Sequence, residues 1–436
     1  MGTLAFTSPT GQETGQGPFR PPEPKTIEEL GINQNILIDL MLKMTLLEGQ
    51  TNLNRLSDNI KISIQLCGAI FSHLRKEQYL EVKGMAGNDY EFTLSQAGRK
   101  LAQDRYQISN YIGPAPVSLN AYNQAVRQQA KRQNVSREKL KTVFKDLVLE
   151  DSMLDQLGPA IVSNSQIFLY GSTGNGKTSI AERLVRVFDD NVYVPYAIEI
   201  QGQIVNIFDT VVHEPLEQEE GVDGRWIRCT RPCIAVGGEM VKEMLELRYE
   251  ETLGYYTAPL QMKANNGMFI IDDFGRQMMN PRDLLNRWVV PLDRRIDFLS
   301  LRTGVTFPVP FETLVVFSTN LDPRQLADEA FLRRIQNKIK IDVVTPEIFD
   351  GILKMVCKNE GVEYTVEASR YAQERCKVSS RTAVLRACYP RDLVAITKNI
   401  SDYEGKPPVF DKDHIDRAVV LYFARWLGSP IVPQIS

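Results

Sequence analysis

Leu37, Leu40, Met41, Met44 and Leu47 recur at three- and four-residue intervals, the spacing of one apolar stripe on a helix. Leu53 to Ile60 predicts a short second helix. Cys67, Ile70, Phe71 and Leu74 line one face of a third, from about Ser63 to Gln78. The period then changes. Leu80 and Val82 alternate with polar residues, Gly84, Gly87 and Asn88 supply a turn, and Tyr90, Phe92 and Leu94 alternate again, which predicts a two-stranded hairpin. Ser95 can cap a closing helix through Ala102.

Gly113-Pro114-Ala115-Pro116 marks a boundary, and Leu119 to Leu149 reads as helices. Beyond them come three runs that read as buried strands: Gln166–Tyr170, apolar after its leading glutamine, Met268–Ile271 and Leu314–Phe317. Gln203–Phe208 and Trp226–Val236 read as two further strands joined by the acidic loop Glu214 to Asp223, with Pro232 at a bulge or an edge. Pro281 to Trp288 predicts a helix, and Pro346 to Phe423 reads as helices with two turns. Gly254-Tyr255-Tyr256, just before the Met268–Ile271 run, reads equally as a stretch facing a pore or as two buried tyrosines at a core edge.

Composition narrows the class. The chain has 436 residues, 43% hydrophobic and 24% charged, which suits a multidomain globular protein and excludes a fibrous repeat or a disulfide scaffold. Lys and Arg total 51 and Asp and Glu 54, so no strongly basic coat for nucleic acid exists. Thr26 to Ile112 holds nine basic and ten acidic residues, a thin supply for neutralising phosphates. Between 127 and 145, Arg127, Lys131, Arg132, Arg137, Lys139, Lys141 and Lys145 face only Glu138, which reads first as a solvated helical face. Six scattered cysteines point to a reducing, cytoplasmic setting. Cys229, Cys233 and His213 lack a fourth ligand and the spacing of a metal site. The Pro- and Gly-rich first 25 residues read as a flexible tail, and no run approaches the ~18 apolar residues of a membrane helix.

The densest chemistry follows the first apolar run. Gly171-Ser172-Thr173-Gly174-Asn175-Gly176-Lys177-Thr178 matches G-x-x-x-x-G-K-[ST] in full, with Ser179 and a helix behind it. The glycines let backbone N–H groups face a phosphate, and the helix N-terminus adds positive potential. Lys177 is expected at the terminal phosphates and Thr178 on magnesium. The second apolar run ends in Asp272 and Asp273, a metal-side acid and a water-orienting acid. The third ends in Ser318-Thr319-Asn320. Arg333 and Arg334 follow Asp328 to Leu332, and arginine can stabilise transition-state charge from a neighbouring subunit. Asn337-Lys338-Ile339-Lys340 lacks the Asp of a guanine-reading Asn-Lys-x-Asp, so the expected nucleotide is ATP rather than GTP.

In that order these motifs resemble the AAA+ ATPases over roughly 145–425. The resemblance implies an α/β class. A P-loop core with a parallel sheet and flanking helices would occupy 146–343, a β-hairpin insertion about 201–238 and a helical lid 344–436. Ahead of the core, 26–113 resembles a winged-helix domain in pattern only, 1–25 is the tail and 114–145 a basic helical linker. By the same resemblance Asn320 is a sensor residue, Arg333 and Arg334 stand at the arginine-finger position, and Arg391 in Tyr389-Pro390-Arg391-Asp392 is the lid's sensor arginine. Implied too are ATP and Mg2+ as cofactors, a homo-oligomeric, hexameric ring, and a protein substrate or adaptor. Two departures stand out. The acid pair is Asp-Asp rather than Asp-Glu, and 95 positions separate Lys177 from Asp272. The alternatives are an ATP-switched DNA-binding regulator or loader, acting through the winged-helix-like domain or the 127–145 helix, and an ATP-binding scaffold that does not hydrolyse.

Overall fold

Apolar runs without a polar interruption suit strands covered on both faces. In the computed structural model the three such runs lie in one five-stranded parallel sheet. The structure describes residues 19–423 apart from 88, 131–134, 327–331 and 381. The strands of this sheet are β1 (Ile167–Tyr170), β2 (Cys233–Val236), β3 (Met268–Ile271), β4 (Leu314–Thr319) and β5 (Asn337–Lys340), in spatial order β2-β3-β4-β1-β5. Every pairing in it is parallel. The chain as a whole divides into two units, each discontinuous in sequence: Met1–Lys131 with Asn191–Thr230 and Arg248–Ala258, and Arg132–Asp190 with Arg231–Leu247 and Pro259–Ser436.

The second unit carries the parallel sheet. Its principal helices are α1 (Arg137–Val143), α2 (Asp151–Val162), α3 (Lys177–Leu184), α4 (Pro281–Arg294), α5 (Pro346–Glu360), α6 (Val366–Ser379), α7 (Cys388–Tyr403) and α8 (Lys412–Tyr422). Leu140, Leu157, Ile161, Ile180 and Leu184 from the first three pack on Leu169, Ile270, Val316 and Ile339 of the sheet. The basic charges of α1 are answered nearby: Arg137 pairs with Asp151 and Asp155, Lys141 with Asp151, and Lys139 with Asp189. Lys131 and Arg132 lie outside the described residues. Helices α5 to α8 enclose a core of their own around Phe349, Leu353, Leu393 and Ile415. Thr345, Thr365 and Asp411 cap three of them by accepting backbone N–H bonds. The lid-like segment thus has four helices and three connections, one connection more than the sequence pattern suggests.

The first unit begins with the expected order of helix, helix, helix, hairpin and helix: Gln34–Glu48, Leu53–Ile60, Ile64–Lys76, strands Leu80–Ala86 and Asp89–Leu94, then Gln96–Ile108. Asn33, Asn52, Ser63 and Ser95 cap the four helices, and the closing one runs past Ala102 to Ile108. A third strand, Gln50–Asn52, joins the hairpin. Asn88 and residues 1–18 lie outside the described residues. Residues 19–25 are held in place: Phe19 packs edge-on to Tyr193 and Trp226, and Asp223 donates its N–H to the Pro21 carbonyl. A second sheet runs Arg248–Glu250, Tyr255–Thr257, Gln203–Asn206, Ala197–Ile200 and Val117–Ser118. Tyr256 is buried there, and Tyr255 meets Tyr111 edge to face, so the two tyrosines lie in a strand of this sheet, as the core-edge reading expects.

Two expectations are corrected. The β-hairpin insertion expected at about 201–238 does not form: Gln203–Asn206 pairs with Ala197–Ile200 and Tyr255–Thr257, and Trp226–Thr230 pairs elsewhere. Trp226–Val236 is two strands, not one bulged strand. Trp226–Thr230 pairs with Asn191–Pro195, whereas Cys233–Val236 is β2. Pro232 has no N–H to continue a ladder, and its carbonyl instead accepts from Met268.

Candidate functional site

The phosphate-loop motif joins β1 to α3, as its pattern requires. Gly171 has φ +141°, and a Cβ there would lie 2.2 Å from the Ile341 carbonyl oxygen, so only glycine lets the chain after β5 approach this closely. Lys177 opens α3 almost fully buried, its Nζ donating to the carbonyls of Gly171 and Ser172 at 3.0 and 2.9 Å. Burial lowers its pKa, Asp273 and Asp272 oppose that, and Arg386 adds to the lowering. Asn175 is also buried, with both side-chain amide atoms lacking a partner among the described residues.

The acids arrive from β3, separated from β1 by β4. Thr178 Oγ1 donates to Asp272 Oδ2 at 2.8 Å, closing the span between α3 and the end of β3. The turn after Ile271 is tied on both sides: Asp272 N–H donates to the Val236 carbonyl, Phe274 N–H to that of Ser318, and Thr319 Oγ1 to the Phe274 carbonyl. Gln277 Nε2 steadies the turn from within by donating to the Asp272 carbonyl. Asp273 takes φ +47°, a left-handed conformation that Asp tolerates better than most side chains. Asn320 Nδ2 donates to Asp273 Oδ1 at 2.8 Å.

These groups open onto a cavity of about 660 Å³. Thr173 to Ser179, Asp273, Ser318 and Asn320 line its polar end. Its apolar walls are Leu147, Val148 and Leu149 ahead of α2, and Ile348, Ile352, Met355 and Val356 on α5. Gly171, Ser172 and Asp272 stand behind this lining. Sequence reading missed the apolar walls. Ile348, Ile352 and Met355 form a second stripe on α5 beside the core stripe of Phe349, Leu353 and Cys357, and helical spacing carried that signal.

The remaining predicted residues are placed differently. Arg391 reaches the rim, about three-quarters exposed, with its Nε 3.4 Å from its own neighbour Asp392. Arg333 and Arg334 line a separate recess of about 520 Å³ with Arg295, Gln166 and Asp293, and Arg334 pairs with Asp293 at 2.7 Å. Of the stretch Asp328 to Leu332 that precedes the arginine pair, 328–331 lie outside the described residues. Among the described residues no cluster of three or more His, Cys, Asp or Glu could hold a metal ion, and no helix is long and apolar enough to cross a membrane.

A family model described only as a domain of unknown function, DUF8689, matches residues 345–420, the segment of α5 to α8. No curated protein matches the chain. Among solved structures, the Thermotoga maritima RuvB Holliday junction branch migration motor is similar at 13% identity and TM-score 0.34, over 70% of this chain and 71% of that one. NtrX from Brucella abortus is similar at 11% identity and TM-score 0.36, over 73% and 59%. The sheet itself carries the fold: a phosphate loop leaves β1, an acid pair follows β3 two strands away, a polar tip ends β4 between them, and four helices follow β5. The unit that carries the cavity therefore has an α/β P-loop fold, a five-stranded parallel sheet flanked by helices.

Proposed function

We propose that the chain binds and hydrolyses ATP with Mg2+ at the subunit interfaces of an oligomeric ring, and uses the cycle to remodel or move a protein partner. The observation that carries this reading is the convergence of Lys177, Thr178, Asp272, Asp273 and Asn320 at one end of the parallel sheet. The buried, unpartnered Asn175 amide and the left-handed glycines of the loop fit a polar, phosphate-bearing occupant. Thr178 Oγ1 and the Asp272 carboxylate would hold Mg2+, a hard cation suited to oxygen ligands, and the ion would offset phosphate charge. Lys177 would hold the terminal phosphates, and the apolar walls would take the base. Asp273, steadied by Asn320, would orient the attacking water.

Arg333 and Arg334 support assembly as a condition of turnover. They line a recess that shares no residue with the ATP cavity, so an arginine acting on phosphate would act on a neighbouring subunit. The protein-partner reading is supported by the balanced charge of Thr26 to Ile112 and by the acidic partners of Arg137, Lys139 and Lys141. The DNA-regulator reading would draw on Arg75 and Lys76, which are exposed on the third helix of the first unit.

The test is a mixing experiment on phosphate release. Lys177→Ala and the double variant Arg333→Ala/Arg334→Ala are each expected to be inactive, and activity is expected to return when the two are mixed. Wild-type specific activity should rise with protein concentration. Concentration-independent activity with no recovery on mixing would refute action between subunits.

A further inference from the structure

Pro21-Pro22-Glu23-Pro24 spells P-x-x-P, and Phe19 and Arg20 precede it. The segment lies on its own unit as a strap. Phe19 is half-buried, its ring edge-on to Tyr193 at 6.3 Å and to Trp226 at 6.1 Å. Arg20 Nη2 pairs with Glu219 Oε2 at 2.8 Å. The Pro21 carbonyl accepts from the Asp223 N–H at 3.0 Å, and Pro22 forms an antiparallel bridge with Val222. Pro21 and Pro24 are buried, whereas Pro22 and Glu23 between them are exposed.

That burial pattern has the three-residue period of a polyproline helix, which turns every third side chain to one face. Proline fixes φ and offers no N–H, so such a segment loses little freedom on docking and is read through its shape and its carbonyls. Aromatic-lined grooves serve this mode of recognition, and a complementary charge sets its direction. Tyr193 and Trp226 supply the rings here, on one face of the paired strands Asn191–Pro195 and Trp226–Thr230, and Glu219 supplies the charge. The frame of this seat has ties of its own. Glu219 also pairs with Arg228 at 3.4 Å, and the buried Arg225 holds the Asp223 carboxylate. The strap is held lightly by comparison, because the Arg20 side chain is more than half exposed and an exposed ion pair contributes little.

We propose that Tyr193, Trp226 and Glu219 form a docking site for a proline-rich peptide of a protein partner, one with an aromatic and a basic residue ahead of P-x-x-P, and that Phe19–Pro24 is its resident occupant. The site names a partner class for the protein-partner reading but works without ATP, so either can fail alone. A partner reaches it by displacing the chain's own strap, whose tether gives the strap a high effective concentration.

The experiment is fluorescence anisotropy of a labelled peptide, Phe-Arg-Pro-Pro-Glu-Pro-Lys, titrated without nucleotide into the intact chain. The proteins are wild type, Phe19→Ala/Arg20→Ala, and that double variant with Glu219→Gln added. The double variant should bind about tenfold more tightly than wild type or better, because its own strap no longer competes. Adding Glu219→Gln should remove about threefold of that gain, and a peptide with alanine for all three prolines should bind the double variant about tenfold more weakly. Binding by the double variant no tighter than wild type, or equal binding of the alanine peptide, would overturn the proposal. Wild-type oligomers that excess peptide breaks apart would show the strap exchanged between copies, and would overturn a partner site as well. If the double variant does not fold, Arg20→Glu carries the comparison. It leaves Phe19 on the rings, sets like charges together at Glu219 and should raise peptide affinity about threefold, and no gain would overturn the proposal equally.

Discussion

The short acid at 273 suits its backbone, and that can be separated from its chemistry. Asp273 holds φ +47° and accepts from Asn320 Nδ2 at 2.8 Å. Glutamate in its place keeps the charge but loses both fits. Leaving the small group of side chains that tolerate the left-handed region costs about 1 kcal/mol. Losing an exposed hydrogen bond costs about 0.5–1 kcal/mol more. Asp273→Glu should therefore destabilise the unit by about 1–2 kcal/mol and lower its melting temperature by a few degrees, at about 2–4 °C per kcal/mol for a unit of this size. Asp273→Asn keeps the backbone preference and an acceptor oxygen, so its stability should stay within about 0.5 kcal/mol of wild type. Its phosphate release should fall by about a hundredfold or more, with ATP affinity within about threefold. Circular-dichroism melts and a coupled phosphate assay on the two variants provide the measurement. An Asp273→Glu protein as stable as wild type and faster in hydrolysis would show that the backbone does not select the shorter acid.

Other outcomes follow from single contacts. Gly171→Ala drives a Cβ into the Ile341 carbonyl at φ +141° and should cost about 2–4 kcal/mol, read as a loss of both the melting transition and ATP binding. Asp223→Ala strands Arg225, which is 4% exposed and also donates to the carbonyls of Leu30 and Pro116, so the first unit should lose about 3–5 kcal/mol in urea unfolding. Lys43 is buried and donates to the carbonyls of Ser109 and Tyr111, and desolvation pulls its pKa down to about 8. The unfolded chain then binds more protons than the native one between pH 8 and the usual lysine range. Stability of the first unit should rise by about 1 kcal/mol or more across that window, and Lys43→Met should abolish the slope.

Sequence makes the polar end of the cavity readable because its residues lie in short local runs. A phosphate loop needs its glycines, lysine and threonine in one fixed run, and Asp272, Asp273 and Asn320 each follow an apolar strand. The strands β2 and β5 are harder to see. Cys233–Val236 is four residues long and follows a proline, and Asn337–Lys340 alternates polar and apolar residues as an edge strand does.

The division into two units also limits which pieces of the chain can be studied alone. Six consecutive stretches alternate between the units. The core under the helices of residues 34–108 includes Ala197 and Ile204, and Tyr255 packs against it, so this core is completed by residues more than eighty positions downstream. Asp223 and Arg225 extend the dependence, since Arg225 Nη1 donates to the carbonyls of both Leu30 and Pro116. A fragment ending near residue 113 would expose apolar surface that Ala197 and Ile204 cover in the full chain. Removing residues 1–113 would likewise uncover Ala197 and Ile204 on the stretch that remains. Either fragment is expected to bind a hydrophobic dye and to melt without a cooperative transition, while the full chain does neither. A fragment of residues 19–113 that melts cooperatively would refute this reasoning and would make its partner binding measurable in isolation. Until then, binding by the first unit is best assayed on the full chain, with paired changes on its surface such as Arg75→Ala/Lys76→Ala as the probe of charge.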